Sequence, residues 1–210
     1  MEGLTRVRER IAAACARAGR DVRQIKLVAV SKLQPVEKLR EALASGQTVF
    51  GENYAQDLRE KAGQLPGVEW HFIGALQTNK VKLVVGRAAL IHTCDRLALA
   101  REISKRAAVE QRVLLEVNVG REPQKAGVLP EDAPALLAEV RALPRLRCEG
   151  LMCIPPADQD PRPHFRALRE LAARLQLPQL SMGMSADYET AIEEGATIVR
   201  VGTAIFGERP

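Results

Sequence analysis

Lys32 is the residue whose type and position most directly suggest chemistry. It closes the apolar run IKLVAVSK (Ile25 to Lys32) and precedes the turn Leu33-Gln34-Pro35. At the mouth of a parallel barrel a lysine is partly desolvated, which favours the free amine, a nucleophile toward an aldehyde. A lysine that finishes a strand and keeps its head in water fits the same local sequence. A second group lies in the tail, SMGMSADYETAIEEGATIVRVGTAIFGERP, where one strand ends at Met184-Ser185 and the next at Gly202-Thr203-Ala204. A hydroxyl, a glycine that lets the backbone approach and free N–H groups at a helix start make a phosphate site, and Ser185, Gly202 and Thr203 supply those parts. Turn glycines and a serine N-cap are the plainer reading of the same residues.

Arg200 is the third candidate. Period-two alternation places Ile198, Arg200 and Gly202 on one face of the last strand, with Val199, Val201 and Thr203 on the other. A guanidinium among valines needs a partner, either a ligand acceptor or an internal carboxylate such as Glu52 or Glu116. The segments GENYAQ (Gly51 to Gln56) and HFIGALQTNK (His71 to Lys80) add Asn53, His71, Gln77 and Asn79 as further candidates to line the same mouth. Each also fits a cap or loop hydrogen-bonder.

The elements that must position these residues follow from the hydrophobic pattern. After an amphipathic opening helix, roughly Leu4 to Ala18, eight short apolar runs alternate with longer helical patterns. The strands are expected at Ile25 to Lys32, Thr48 to Asn53, Glu69 to Leu76, Ala89 to Asp95, Arg112 to Gly120, Leu146 to Ile154, Gln179 to Ser185 and Thr197 to Gly207. Strand and helix in alternation imply right-handed parallel crossovers, and eight units in 210 residues suit an α/β fold, a single (β/α)8 TIM barrel with an extra N-terminal helix. An open doubly wound sheet is the other architecture. Val30-Ser31-Lys32-Leu33 stands where a dinucleotide fold carries G-x-G-x-x-G, which counts against it. No stretch reads as a linker, so residues 1–210 are expected to form one domain.

Composition narrows the function classes. Aromatics make up 3% of the chain, and its net charge of +5 is spread among 31 basic and 26 acidic residues without a dense basic block. Nucleic-acid binding is therefore not expected, whereas a small phosphorylated ligand is easily accommodated. Cys15, Cys94, Cys148 and Cys153 form no CxxC pair, and the three histidines lack metal-ligand spacing. Reduced thiols, no structural metal, no membrane span and a cytoplasmic location are expected.

Assembled in order, these segments resemble the pyridoxal phosphate (PLP) homeostasis family, the YggS/PROSC-like proteins with the alanine racemase N-terminal barrel. The resemblance rests on AVSKLQP (Ala29 to Pro35), FGENYAQ (Phe50 to Gln56), WHFIGALQTNK (Trp70 to Lys80), EVNV with QKAGV (Glu116 to Val128), GLMCIPP (Gly150 to Pro156) and the tail from Leu180 to Arg209. It implies that Lys32 carries PLP as a Schiff base, and that Ser185, Gly202 and Thr203 hold the phosphate. It implies also that Arg200 faces the pyridine nitrogen or the phosphate, and that Asn53 lies near the ring. Ala75 and Ala126 depart from the family pattern, where proline and serine are usual. The implied function is a PLP carrier and buffer, a cytoplasmic monomer with PLP-dependent apo-enzymes as clients and no catalytic residues. A small racemase-like PLP enzyme is the alternative, and a macromolecule-binding scaffold a weaker third.

Overall fold

The alternation of apolar and amphipathic runs closes on itself in the computed structural model, which describes residues 1–208. Eight parallel strands follow in chain order: β1 (Lys26–Val30), β2 (Val49–Glu52), β3 (Glu69–Phe72), β4 (Leu90–Cys94), β5 (Gln111–Glu116), β6 (Leu146–Met152), β7 (Gln179–Ser181) and β8 (Ile198–Val201). β8 pairs back onto β1, with Lys26 opposite Ile198 and Val28 opposite Arg200, so the sheet is a barrel. The helices are α1 (Glu2–Arg17), α2 (Val36–Ala44), α3 (Ala55–Gln64), α4 (Val81–Val84), α5 (Leu97–Arg106), α6 (Ala133–Arg141), α7 (Pro161–Arg174), α8 (Tyr188–Glu193) and α9 (Thr203–Phe206). Among the described residues no helix is long and apolar enough to cross a membrane.

Local chemistry explains the helices. α7 starts where Asp160 accepts a bond from Arg162 N at 3.0 Å and Pro161 takes the first helical position. It then buries Phe165, Leu168, Leu171 and Ala172, spaced to share one face. The extra helix α1 buries Leu4, Val7, Ile11, Ala14 and Cys15 on the same principle. It is held to α8 by Arg17, which bonds both Glu189 and Glu193.

The strands end earlier than hydrophobicity alone indicates. β1 stops at Val30, two residues before Lys32, β7 stops at Ser181, four before Ser185, and β8 stops at Val201, so that Thr203 begins α9. Turn conformations cause this. Leu33 takes φ 59° and Gly183 φ 93°, values at which the chain leaves the sheet. Apolar residues such as Met182 beyond β7 and Ile205 beyond β8 still pack, which is why the hydrophobic pattern reads as strand past those ends.

Two apolar layers result. The larger lies between sheet and helices and includes Ala29, Phe50, Phe72, Val199 and Val201, while Val28, Leu90, Leu114, Met152 and Ile198 cluster separately, inside the barrel. Above that inner cluster stands Glu116, at the end of β5 and only 9% exposed. Burial raises its carboxyl to about 7; Asp95 adds to the effect and Arg200 opposes it.

Gly183→Ala is expected to cost roughly 2–4 kcal/mol, because a Cβ there would stand 2.5 Å from the Ala191 Cβ at a positive φ. Gly63→Ala, at an α3 position open to solvent, should instead stabilise by about 0.5–1 kcal/mol. Urea unfolding of the two variants separates these signs. For Glu116, the unfolded carboxyl titrates near 4.5 and the folded one near 7. The stability it contributes is full below the lower value and is lost as pH rises to the upper. Between those limits the unfolding free energy of Glu116→Gln should gain roughly 2–3 kcal/mol on the parent, and a constant difference across that range would refute the assignment.

Candidate functional site

A buried cluster fixes the segment that presents Lys32. Ser31 is fully buried; its N–H donates to Gly51 O at 2.9 Å and its hydroxyl to Glu52 Oε1 at 2.7 Å. Lys61, reaching in from α3, donates to the same Glu52 oxygen at 2.6 Å and to Ser31 O at 2.8 Å. Burial raises the Glu52 carboxyl, and the bonds from Lys61 and Ser31 oppose that rise. Removing the Lys61 amine would strand a buried carboxylate, so the cluster is a strong anchor for the backbone of Ser31. Lys32 follows immediately and is half-buried, its amine 5.4 Å from the centre of the Tyr54 ring.

Across the mouth, Ser185 and Gly202 meet. The Gly202 N–H donates to Ser185 Oγ at 3.3 Å, and the Met184 N–H donates to Asp187 Oδ1 at 2.6 Å, which shapes the loop between β7 and α8. A Cβ on Gly202 would lie 3.2 Å from the Val30 Cβ, so glycine lets this loop press against the end of β1. Thr203 opens the short turn α9, whose first internal bond is made by Ile205 N to Gly202 O. Earlier amides of such a turn have no partner within it.

Arg200 is 4% exposed. Its Nη1 donates to Ser181 Oγ at 2.6 Å and its Nη2 to Cys153 O at 3.0 Å. Among the described residues no carboxylate forms an ion pair with it. Of the two partners expected for Arg200, a ligand acceptor or an internal carboxylate, the carboxylate is corrected: Glu52 is taken by Ser31 and Lys61, and Glu116 acts on Arg200 through its field. Burial lowers the Arg200 pKa.

Lys32, Asn53, Ser185, Arg200, Gly202 and Thr203 all line one cavity of about 330 Å³. Asn53 Oδ1 is buried there without a hydrogen-bond partner among the described residues. A second hollow of about 370 Å³ shares Lys32 and Asn53 and extends to Tyr54, Gln77 and Lys80. Of the other polar candidates, Asn79 is exposed and borders neither hollow. His71 does not line the mouth; it is buried inside the barrel against His92 and Glu69. A hollow of about 400 Å³ opens among Arg8, Lys26 and Gln47. Its polar groups are already engaged, Arg8 with Ser45 O and Gly46 O, Lys26 with Glu69, and Gln47 with Leu27 O and Val49 O.

Ser181, His92, Tyr54 and Lys61 are the residues that sequence reasoning overlooked. Ser181 and His92 sit within apolar strands, and the available signal was a polar residue at an inward position of a buried strand, the same signal that singled out Arg200. Tyr54 and Lys61 lie at and within α3, where only folding reveals which face turns to the barrel.

The comparisons with known proteins agree with this architecture. Residues 4–210 match the family described as alanine racemase, N-terminal domain. The pyridoxal phosphate homeostasis protein of Aquifex aeolicus strain VF5 is 52% identical over 222 residues, covering 99% of this chain and 97% of that protein. The protein of that name from Pseudomonas aeruginosa is 44% identical over 218 residues, with 99% and 95% covered. A crystal structure of an unknown protein from Bifidobacterium adolescentis superposes with a TM-score of 0.92 at 35% identity, covering 98% of this chain and 93% of that one. PipY of Synechococcus elongatus PCC7942, with PLP bound, gives 0.84 at 36% identity, covering 96% and 100%. With its barrel closed and its motifs gathered at one mouth, the chain belongs to the alanine racemase N-terminal domain family and, within it, to the pyridoxal phosphate homeostasis proteins.

Proposed function

We propose that the cavity at the C-terminal ends of the strands binds PLP, and that the protein carries and buffers this cofactor. The observation that carries the reading is the convergence of a half-buried lysine, a buried guanidinium with no contacting carboxylate among the described residues and a hydroxyl–glycine loop pair around one hollow of about 330 Å³. These residues fit the group. Ser185, Gly202 and Thr203 offer hydroxyls and backbone amides suited to a phosphate. Asn53 Oδ1, buried without a partner, gains one when a polar ligand enters. The names of the relatives and the PLP-bound PipY structure support the same assignment.

PLP, when bound, supplies an aldehyde that condenses with an amine. Lys32 is the amine we assign to it, because it is the lysine that lines the cavity. Arg200 donates hydrogen bonds without giving up its proton. Placed against a pyridine nitrogen it leaves that atom unprotonated, which weakens the ring as an electron sink and supports carriage over catalysis. The proposal extends to a one-domain cytoplasmic monomer that exchanges PLP with PLP-dependent apo-enzymes. A cavity bordered by the loops after β7 and β8 supports exchange.

Borohydride reduction of the PLP-loaded protein followed by peptide mapping should place the label on Lys32, and Lys32→Ala should take up none covalently. A label on another lysine of the parent protein overturns the assignment. Incubation of the loaded protein with L- and D-amino acids in deuterated water should give no sustained α-proton exchange, racemisation or decarboxylation. Steady turnover that disappears in Lys32→Ala would establish the enzyme reading instead.

A further inference from the structure

Behind Arg200 a line of side chains runs down the inside of the barrel. Ser181, His92 and His71 are each 0% exposed. Arg200 Nη1 lies 2.6 Å from Ser181 Oγ, Ser181 Oγ lies 2.8 Å from His92 Nδ1, His92 Nε2 lies 2.9 Å from His71 Nδ1, and His71 Nε2 lies 2.9 Å from Glu69 Oε1. The same Glu69 oxygen accepts from Lys26 Nζ at 2.6 Å. The line thus joins the cofactor cavity to an ion pair at the opposite ends of the strands.

Its protons can be assigned from either end. Arginine only donates, so Ser181 accepts from it and has one O–H left to give. An ionised carboxylate only accepts, so His71 donates to Glu69 through Nε2–H. The bond from His71, with Lys26 beside it, holds the Glu69 carboxyl down at about 2 against the effect of burial. Burial lowers the pKa of His71 against the opposing pull of Glu69, and burial lowers that of His92 further, with His71, Arg200 and Lys26 adding to the effect there. A neutral His71 that donates through Nε2 must accept at Nδ1, which makes His92 Nε2 a donor and His92 Nδ1 the acceptor for Ser181. Both directions of reasoning give one pattern.

We infer that Ser181, His92, His71 and Glu69 form a one-way hydrogen-bond chain that positions Arg200 in the cavity, with both imidazoles neutral and protonated at Nε2. The role toward PLP rests on the function proposed above; the chain itself does not. A buried guanidinium without a contacting carboxylate needs its charge answered elsewhere. Bonds that all polarise the same way carry part of that answer to Glu69. Two of the guanidinium donors are used, on Ser181 and Cys153, and the rest, without a partner among the described residues, remain for a ligand. Ser181, His92 and His71 are positioning residues, since they act through Arg200.

The test begins on protein without added cofactor. In His164→Gln the imidazole nitrogen spectrum contains only the two chain histidines, and long-range proton–nitrogen correlations at neutral pH should show both as neutral Nε2–H tautomers. An Nδ1–H tautomer or an imidazolium at either ring overturns the chain. Ser181→Ala should shift the Arg200 guanidinium resonance, and Ser181→Thr, which keeps the hydroxyl, should restore it; an Arg200 signal indifferent to Ser181→Ala overturns the positioning role. With PLP, Ser181→Ala should weaken binding about tenfold and move the absorption band of the bound cofactor, again with recovery in Ser181→Thr. Parental affinity and spectrum in folded Ser181→Ala also overturn it. If the parent protein takes up no PLP, the proposed function fails, while the tautomers and the Arg200 resonance still decide the chain.

Discussion

The cost of holding a guanidinium inside a closed barrel organises this structure. Arg200 lies on β8, 4% exposed and opposite Val28 of β1, where no carboxylate among the described residues touches it. An isolated buried cation is expensive, and a directly paired one leaves little of itself for a ligand. The barrel adopts a third arrangement. Neutral acceptors, Ser181 Oγ and Cys153 O, satisfy part of the fork, and the ionised groups Glu69 and Lys26 stand at the far end of a polar line. The interior is therefore divided between the apolar cluster around Leu90, Leu114 and Ile198 and a polar line that crosses it.

Presentation of Lys32 obeys a related logic on the other side of the mouth. The residue before it is locked by Glu52 and Lys61, both buried, so a loop residue gains the precision of a strand. Lys32 itself has moderate exposure and lies over an aromatic ring, which leaves its amine accessible. A rigid backbone beneath an accessible amine suits a group that must accept and release a ligand rather than bury it. The opposite lip, where Gly202 presses against Val30, is set by close backbone approach.

Placing both lips on loops after β1, β7 and β8 follows from barrel closure. Because β8 hydrogen-bonds to β1, the last and first strands are neighbours, and Thr203 comes to line the same cavity as Lys32. In an open sheet with those strands at its two edges the groups would be separated by its full width. One closing contact between the ends of the chain thus creates the site.

The sequence by itself determined the elements and the identity of the mouth. Runs such as KLVAV and IVRV, set between amphipathic segments, specify buried parallel strands because side-chain periodicity is a local property. Lys32, Ser185 and Gly202 were legible for the same reason, as polar or glycine residues following apolar runs. Tertiary structure alone decided which groups meet. His71 reads as a mouth residue because it begins the motif HFIGALQTNK, yet it points inward halfway along β3, where alternation and barrel closure bring it to His92. Arg200 reads as needing either a ligand acceptor or a carboxylate such as Glu52 or Glu116, and within the chain it is Ser181 and Cys153 that receive it, since the pairings of β6, β7 and β8 bring those atoms alongside. Contacts between residues far apart in the chain depend on register and on the stagger of the closed barrel, and neither is written in any local window of sequence.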